Sequence, residues 1–240
     1  MCPTCERLAA RATTPREQAD TNGVKPAIIL YFVYLSTLLL GSIGYAVAGE
    51  DRAAAAKVMI AIELFDTALI LVWAVFRRKD VLPALRTAGP WWAYLLAVCL
   101  APLTYTLATL ALKFLRIWLG IETSHSFESL SAAGMGGVAV VLAIAVQPAV
   151  IEELAFRGMI QPGLARAMPR RDAVLAASAM FAIMHLSIPS FVHLMMLGIA
   201  VGGVRAISGS LYPSMLLHFL HNTTVLATDG LFSADAGGPG

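Results

Sequence analysis

From Pro26 to Val47 the chain runs twenty-two residues without a charged side chain. At about 1.5 Å per residue a helix of that length spans the hydrocarbon core of a bilayer, which is about 30 Å thick. Comparable runs recur along the sequence. They cover roughly Ala54–Phe76, Pro90–Leu112, Gly134–Ala167, Asp172–Ser187, Phe191–Ile207 and Leu211–Ala227. Only helices and closed barrels satisfy their backbone in lipid, and these lengths suit helices. The expected fold is therefore all-α, a polytopic transmembrane bundle of about seven spans. The mean hydropathy of +0.75 and the 13% of charged residues do not fit a soluble domain. A net charge of +2, with no basic face, excludes nucleic acid as a partner.

The basic residues fix an orientation. With the N-terminus inside, the inner segments hold Arg7, Arg11, Arg16, Lys25, Arg77, Arg78, Lys79, Arg86, Arg157, Arg166, Arg170, Arg171 and Arg205. The outer segments hold Arg52, Lys57, Lys113 and Arg116, a split of 13 against 4. An excess of Lys and Arg marks the cytoplasmic side. The expectation is a multi-pass protein of the plasma (inner) membrane with a cytoplasmic N-terminus. The chain then divides into four regions: residues 1–25 as a flexible cytoplasmic tail, 26–133 as three helices plus an outer connection, 134–227 as a catalytic helix core, and 228–240 as a disordered tail. The first tail carries Cys2-Pro-Thr-Cys5, a lone CxxC without a second ligand pair nearby. Cys99 reads as a small core residue. Trp91, Trp92 and Tyr94 read as an interfacial belt.

One apolar run contains Glu152-Glu153-Leu-Ala-Phe-Arg157. Ionisable groups at membrane depth mark function and usually face the protein interior. Glu153 and Arg157 are four apart on one helix face and suit an ion pair. Glu152 lies about 100° around the helix, without a local partner, and is the candidate general base. The turn at Met168-Pro169 makes a hairpin of the flanking helices, which brings His185 to the depth of Glu152. His218 and Asn222 are one turn apart on the last helix. A water between Glu152 and His185, with His218 and Asn222 donating to an oxyanion, would suit hydrolysis. The same Glu152, His185 and His218 are alternative ligands for a divalent metal such as zinc. His221 and His193 lie off this face and read as structural. Glu63 and Asp66 read as a bridge between helices or a lining of the cavity mouth. Gly198 and Gly202 have the small-xxx-small spacing that permits close helix approach.

EExxxR, FxxxH from Phe181 to His185, and HxxxN from His218 to Asn222 occur in order on successive apolar segments. Together with Ser210-Leu-Tyr-Pro-Ser214 they resemble the CPBP family, the CAAX-processing and bacteriocin-processing (Abi) intramembrane proteases. The resemblance covers about 134–227 and implies a CAAX-protease-like core. It also implies a glutamate-dependent endopeptidase, historically classed as a metalloendopeptidase. In that reading Glu152 and His185 activate water, His218 and Asn222 bind the oxyanion, and Glu153 and Arg157 support them. The implied partner is a membrane-embedded or lipid-anchored protein or peptide, of CAAX type or with a C-terminal sorting tail. Two other functions use the same features: a non-catalytic scaffold or bacteriocin-immunity protein, and a proton-coupled transporter relaying through Glu63, Asp66, Glu152 and the histidines.

Overall fold

The computed structural model describes residues 21–49, 51–120 and 136–235. Those residues form eight helices and no strand. They are α1 (Thr21–Ala48), α2 (Arg52–Phe76), α3 (Arg78–Arg86), α4 (Trp91–Leu119), α5 (Gly137–Leu164), α6 (Arg170–Met184), α7 (Ile188–Ser208) and α8 (Tyr212–Asp235). α1, α2, α4, α5 and α7 each contain a stretch long and apolar enough to cross a membrane. α6 has 15 residues and is too short for that, so five spans meet the criterion where about seven were expected. Large apolar side chains point outward along these helices. Val47 is 83% exposed, Phe76 80% and Ile117 78%, as lipid contact requires.

Several expected boundaries move. α1 starts at Thr21, inside the stretch read as a tail. Gly23 and Ala27 pack there on the end of α5, where a Cβ on Gly163 would lie 2.6 Å from Ala27 Cβ. The charged connection after α2 is itself helical. α3 has Asp80 in its first turn and Arg86 in its last, which complements the helix dipole, and it buries Val81 and Ala84. α4 continues to Leu119 rather than Leu112. It stops at Gly120, whose φ of 62° closes the helix through an N–H bond to Arg116 O. α8 runs on to Asp235, past the expected end at Ala227 and into the region read as disordered. Cys99 is exposed on α4 rather than buried. Residues 1–20, with Cys2 and Cys5, and 121–135, with His125, lie outside the described residues.

α5 is the centre of the bundle and is not a uniform α-helix. Leu142–Val146 and Phe156–Ile160 are π-helical turns, with α segments Gly137–Val141, Gln147–Ala155 and Gln161–Leu164 around them. Each wide turn is followed by a Gln-Pro pair: Gln147-Pro148 and Gln161-Pro162. Proline inside a helix removes one N–H donor and crowds the carbonyl four residues back. The helix relieves that crowding by widening. Gln147 N accordingly bonds to Leu142 O and Gln161 N to Phe156 O, five residues back in each case. Both glutamine side chains reach sideways. Gln147 Nε2 donates to Thr67 Oγ1 on α2 (2.9 Å), and Gln161 Nε2 donates to Gly202 O on α7 (3.1 Å).

The other helices wrap around α5. α1 pairs with α2, α6 with α7, and α4 packs on both α7 and α8. Asp66, buried on α2, accepts a hydrogen bond from Thr37 Oγ1 on α1. α6 and α7 approach closely, since a Cβ on Gly198 would lie 2.9 Å from Ser178 Cβ. At one end of the bundle four segments are tied together. Arg166 pairs with Asp80 (2.5 Å), and Asp80 also pairs with Arg77 (2.7 Å). Leu211 N donates to Ala84 O (3.4 Å), and Tyr212 Oη donates to Leu85 O (2.8 Å). Segments expected on the inner side thus share one end.

Candidate active site

The nine-residue α segment Gln147–Ala155 carries both acids between the two wide turns. Glu153 is fully buried. Its Oε1 lies 3.1 Å from Arg157 Nη1 and 3.0 Å from His218 Nδ1. Arg157 is fully buried as well, and its Nη2 donates to Gly198 O (3.0 Å). An isolated charge in such a place would be very costly, so the two groups are held as a pair. α8 supplies His218, which is 2% exposed.

Glu152 differs from its neighbour. Its side chain keeps 14% of its surface exposed against none for Glu153, while Oε2 of each acid lacks a hydrogen-bond partner. His218 Nε2 stands 3.9 Å from Glu152 Oε2, beyond direct hydrogen-bond range. Because Nδ1 of His218 faces Glu153, Nε2 is the nitrogen open to a water or an oxyanion. It accepts when only Nδ1 carries hydrogen and donates when both nitrogens do.

Phe181 on α6 joins the parts. Its ring meets Phe156 (5.3 Å, edge-on), His218 (5.8 Å) and His185 (4.8 Å), and the Arg157 guanidinium lies 4.7 Å from its centre. Aromatic faces of this kind favour both edge-on rings and a cation.

The remaining expected residues are placed differently. The run read as helical to Ser187 ends at Met184, and His185 is the exposed residue that closes it. His185 Nδ1 lies 2.9 Å from Phe181 O. The carbonyl only accepts, so Nδ1 is the donor and Nε2 is free. His185 therefore reaches the centre through Phe181. Asn222 donates from Nδ2 to Ile144 O (3.1 Å). That carbonyl would serve the N–H of residue 148 in an α-helix, but 148 is proline and has none. One amide hydrogen of Asn222 remains uncommitted. Leu186, next to His185, has φ of 51°, a left-handed backbone that a leucine adopts at a cost.

His221 is buried and its Nδ1 lies 3.1 Å from Thr104 Oγ1 on α4. His193 on α7 lies within electrostatic reach of His185 and His221. Its Nδ1 has no partner. Glu63 and Asp66 on α2, and Tyr34 on α1, lie within electrostatic reach of Glu152. Among the described residues no three His, Cys, Asp or Glu side chains converge at metal-ligating spacing. Glu152 and His218 adjoin, but His185 is exposed beyond Phe181. The donor set as arranged does not fit zinc.

The packing of Phe181 on His185 was expected from their spacing; its contacts with Phe156, His218 and Arg157, and the wide turns, were not. The two Gln-Pro pairs were a partial signal, since proline crowds the preceding turn but Pro102 lies inside α4 without a wide turn.

Fold and site together define a multi-pass helical membrane protein with a buried carboxylate–imidazole centre. Residues 133–224 match the family model described as type II CAAX prenyl endopeptidase Rce1-like. This segment is an Rce1-like domain, and the match supports a CPBP family intramembrane protease. It runs through α5, α6, α7 and most of α8 and carries all three motifs. No curated protein and no solved structure matches the chain.

Proposed function

We propose that the chain hydrolyses a peptide bond of a membrane-associated protein, with Glu152 as the general base. The observation that carries this reading is the contrast between the two adjacent acids. Each acid has an unpartnered Oε2, but Glu153 is fully buried with its Oε1 held by Arg157 and His218, whereas Glu152 is 14% exposed with its Oε2 3.9 Å from His218 Nε2. Glu152 takes a proton from a water, and the water oxygen attacks the peptide carbonyl carbon. His218 Nε2 and the uncommitted N–H of Asn222 face the oxyanion. The proton then passes to the leaving amine as the C–N bond breaks. His185, with Nε2 free, lies at the exposed margin and contacts the substrate or the water there. Positioned donors of this kind typically contribute about 10²–10³ in rate each.

The substrate in this proposal is a lipid-anchored or membrane-embedded chain, of CAAX type or with a C-terminal sorting tail. The membrane is the plasma (inner) membrane and the N-terminus is cytoplasmic. Asp66 is committed to Thr37, which favours a helix bridge over a proton relay through α2.

The test is cleavage of C-terminally tagged and prenylated peptides by full-length protein in liposomes. Glu152→Gln should lower turnover by about 10³-fold or more with unchanged thermal unfolding. Undiminished cleavage in Glu152→Gln would remove the general base from the proposal. Loss of cleavage with retained biological activity would point to the scaffold.

A further inference from the structure

On the side of Arg157 away from the acids lies a cavity of about 160 Å³. Its walls carry four guanidinium groups, Arg157, Arg166, Arg170 and Arg205, together with Gln161. No carboxylate lines it. Arg157 is paired with Glu153 and Arg166 with Asp80. Arg170 and Arg205 have no carboxylate partner among the described residues, and they lie close enough to repel each other. Arg205 Nε donates to Arg157 O (3.2 Å), a carbonyl released because Gln161 N bonds to Phe156 O instead. Arg157 has no exposed surface and its charge is answered by Glu153, so the charges that face an anion in the cavity are those of Arg170 and Arg205.

We propose that this cavity binds the phosphate group of an anionic phospholipid. The charge selects an oxyanion, and arginine forks suit phosphate geometry. The surroundings select a lipid. The cavity opens at the end of the bundle where Arg77, Arg78, Lys79 and Arg171 also gather, the level of the headgroups. At this end of the bundle α7 and α6 also carry exposed apolar residues, Ile207 (59%) and Leu175 (37%), so a phosphate held by the arginines lies beside a lipid-facing surface. Basic pockets between transmembrane helices recognise anionic headgroups in this way. The assignment is independent of the peptidase reading, since binding is read without turnover.

The experiment titrates full-length protein with phosphatidylglycerol and phosphatidylcholine and counts retained lipids by native mass spectrometry. Wild type should retain phosphatidylglycerol in preference to phosphatidylcholine, and inorganic phosphate should compete weakly. Arg170→Gln/Arg205→Gln should weaken retention by about tenfold or more, with Arg170→Lys/Arg205→Lys intermediate. Arg78→Gln/Lys79→Gln removes the same charge at the same end and should change retention by less than about twofold. Equal retention of the two lipids by wild type overturns the proposal without recourse to any variant. So does an equal loss in Arg78→Gln/Lys79→Gln, which would mean diffuse attraction. Displacement as effective by inorganic phosphate, or by a peptide with a free C-terminal carboxylate, would overturn the lipid assignment and give the cavity to a soluble anion or to a peptide end.

Discussion

Consider Arg157→Met and Glu153→Gln, made singly and together. Both side chains have no exposed surface, and their charged atoms are 3.1 Å apart. Arg157→Met leaves Glu153 as a buried anion whose remaining polar neighbour is His218. Glu153→Gln leaves Arg157 as a buried cation facing the ring of Phe181. Breaking a buried pair from one side costs about 3–5 kcal/mol. The double variant leaves no charge behind. The amide introduced by Glu153→Gln still offers an oxygen to His218 Nδ1, so that contact survives. What is lost is the donor to Gly198 O, about 1–3 kcal/mol. The two singles would sum to about 6–10 kcal/mol, so the double should be more stable than additivity allows by at least about 3 kcal/mol. For a chain of this size each kcal/mol moves the midpoint by about 2–4 °C. Each single should then fall by about 6–20 °C and the double by clearly less than their sum. The assay is thermal unfolding of purified protein in one detergent, followed by tryptophan fluorescence. A double variant whose loss equals that sum would show that the two charges do not depend on each other, and the account of Glu153 as held by Arg157 would fall.

Two other substitutions test the frame around the site. Gly198→Ala places a methyl group 2.9 Å from Ser178 Cβ and 3.0 Å from Ser178 Cα. It should destabilise by about 1–3 kcal/mol and lower cleavage by shifting the carbonyl that Arg157 holds, both read on the same preparation; an unchanged melting curve would mean that α6 and α7 part freely. Leu186→Gly removes the left-handed strain beside His185 and should raise stability by about 1 kcal/mol in the same melt. A lowered midpoint would show that the leucine side chain, 43% exposed, holds the turn by packing.

Lengths and periodicities were legible because lipid leaves few options. Apolar runs of about twenty residues or more become helices, and α1, α2, α4, α5 and α7 stand close to where the hydropathy puts them. The acidic pair was legible because nothing apolar explains it. Less legible were the places where tertiary contact overrides local pattern. α3 looks like a charged linker until Val81 and Ala84 are seen to be buried. α1 begins early because Gly23 and Ala27 have Gly163 to lie against. The depth of His185 was estimated from uniform helical rise, which says nothing about exposure. α6 ends one residue before it, and the side chain is exposed. The same uniform rise concealed the two wide turns of α5.

Those turns carry a consequence for insertions and deletions. A π turn holds one residue more than the α turn it replaces. Removing a single residue from Leu142–Val146 would let that stretch close into regular α-helix. Everything before it would then rotate by about 100° relative to Glu152 and Glu153. Val140 would leave the core, and Ile144 would no longer present its carbonyl to Asn222. A deletion in Phe156–Ile160 would rotate the C-terminal end of α5 in the same way, turning Gln161 away from Gly202. The reading frame of α5 is therefore fixed by its contacts with α7 and α8. Any related chain that keeps the acids must keep the spacing from each Gln-Pro pair to the acids, or lose the grip of α7 and α8 on the helix that bears them.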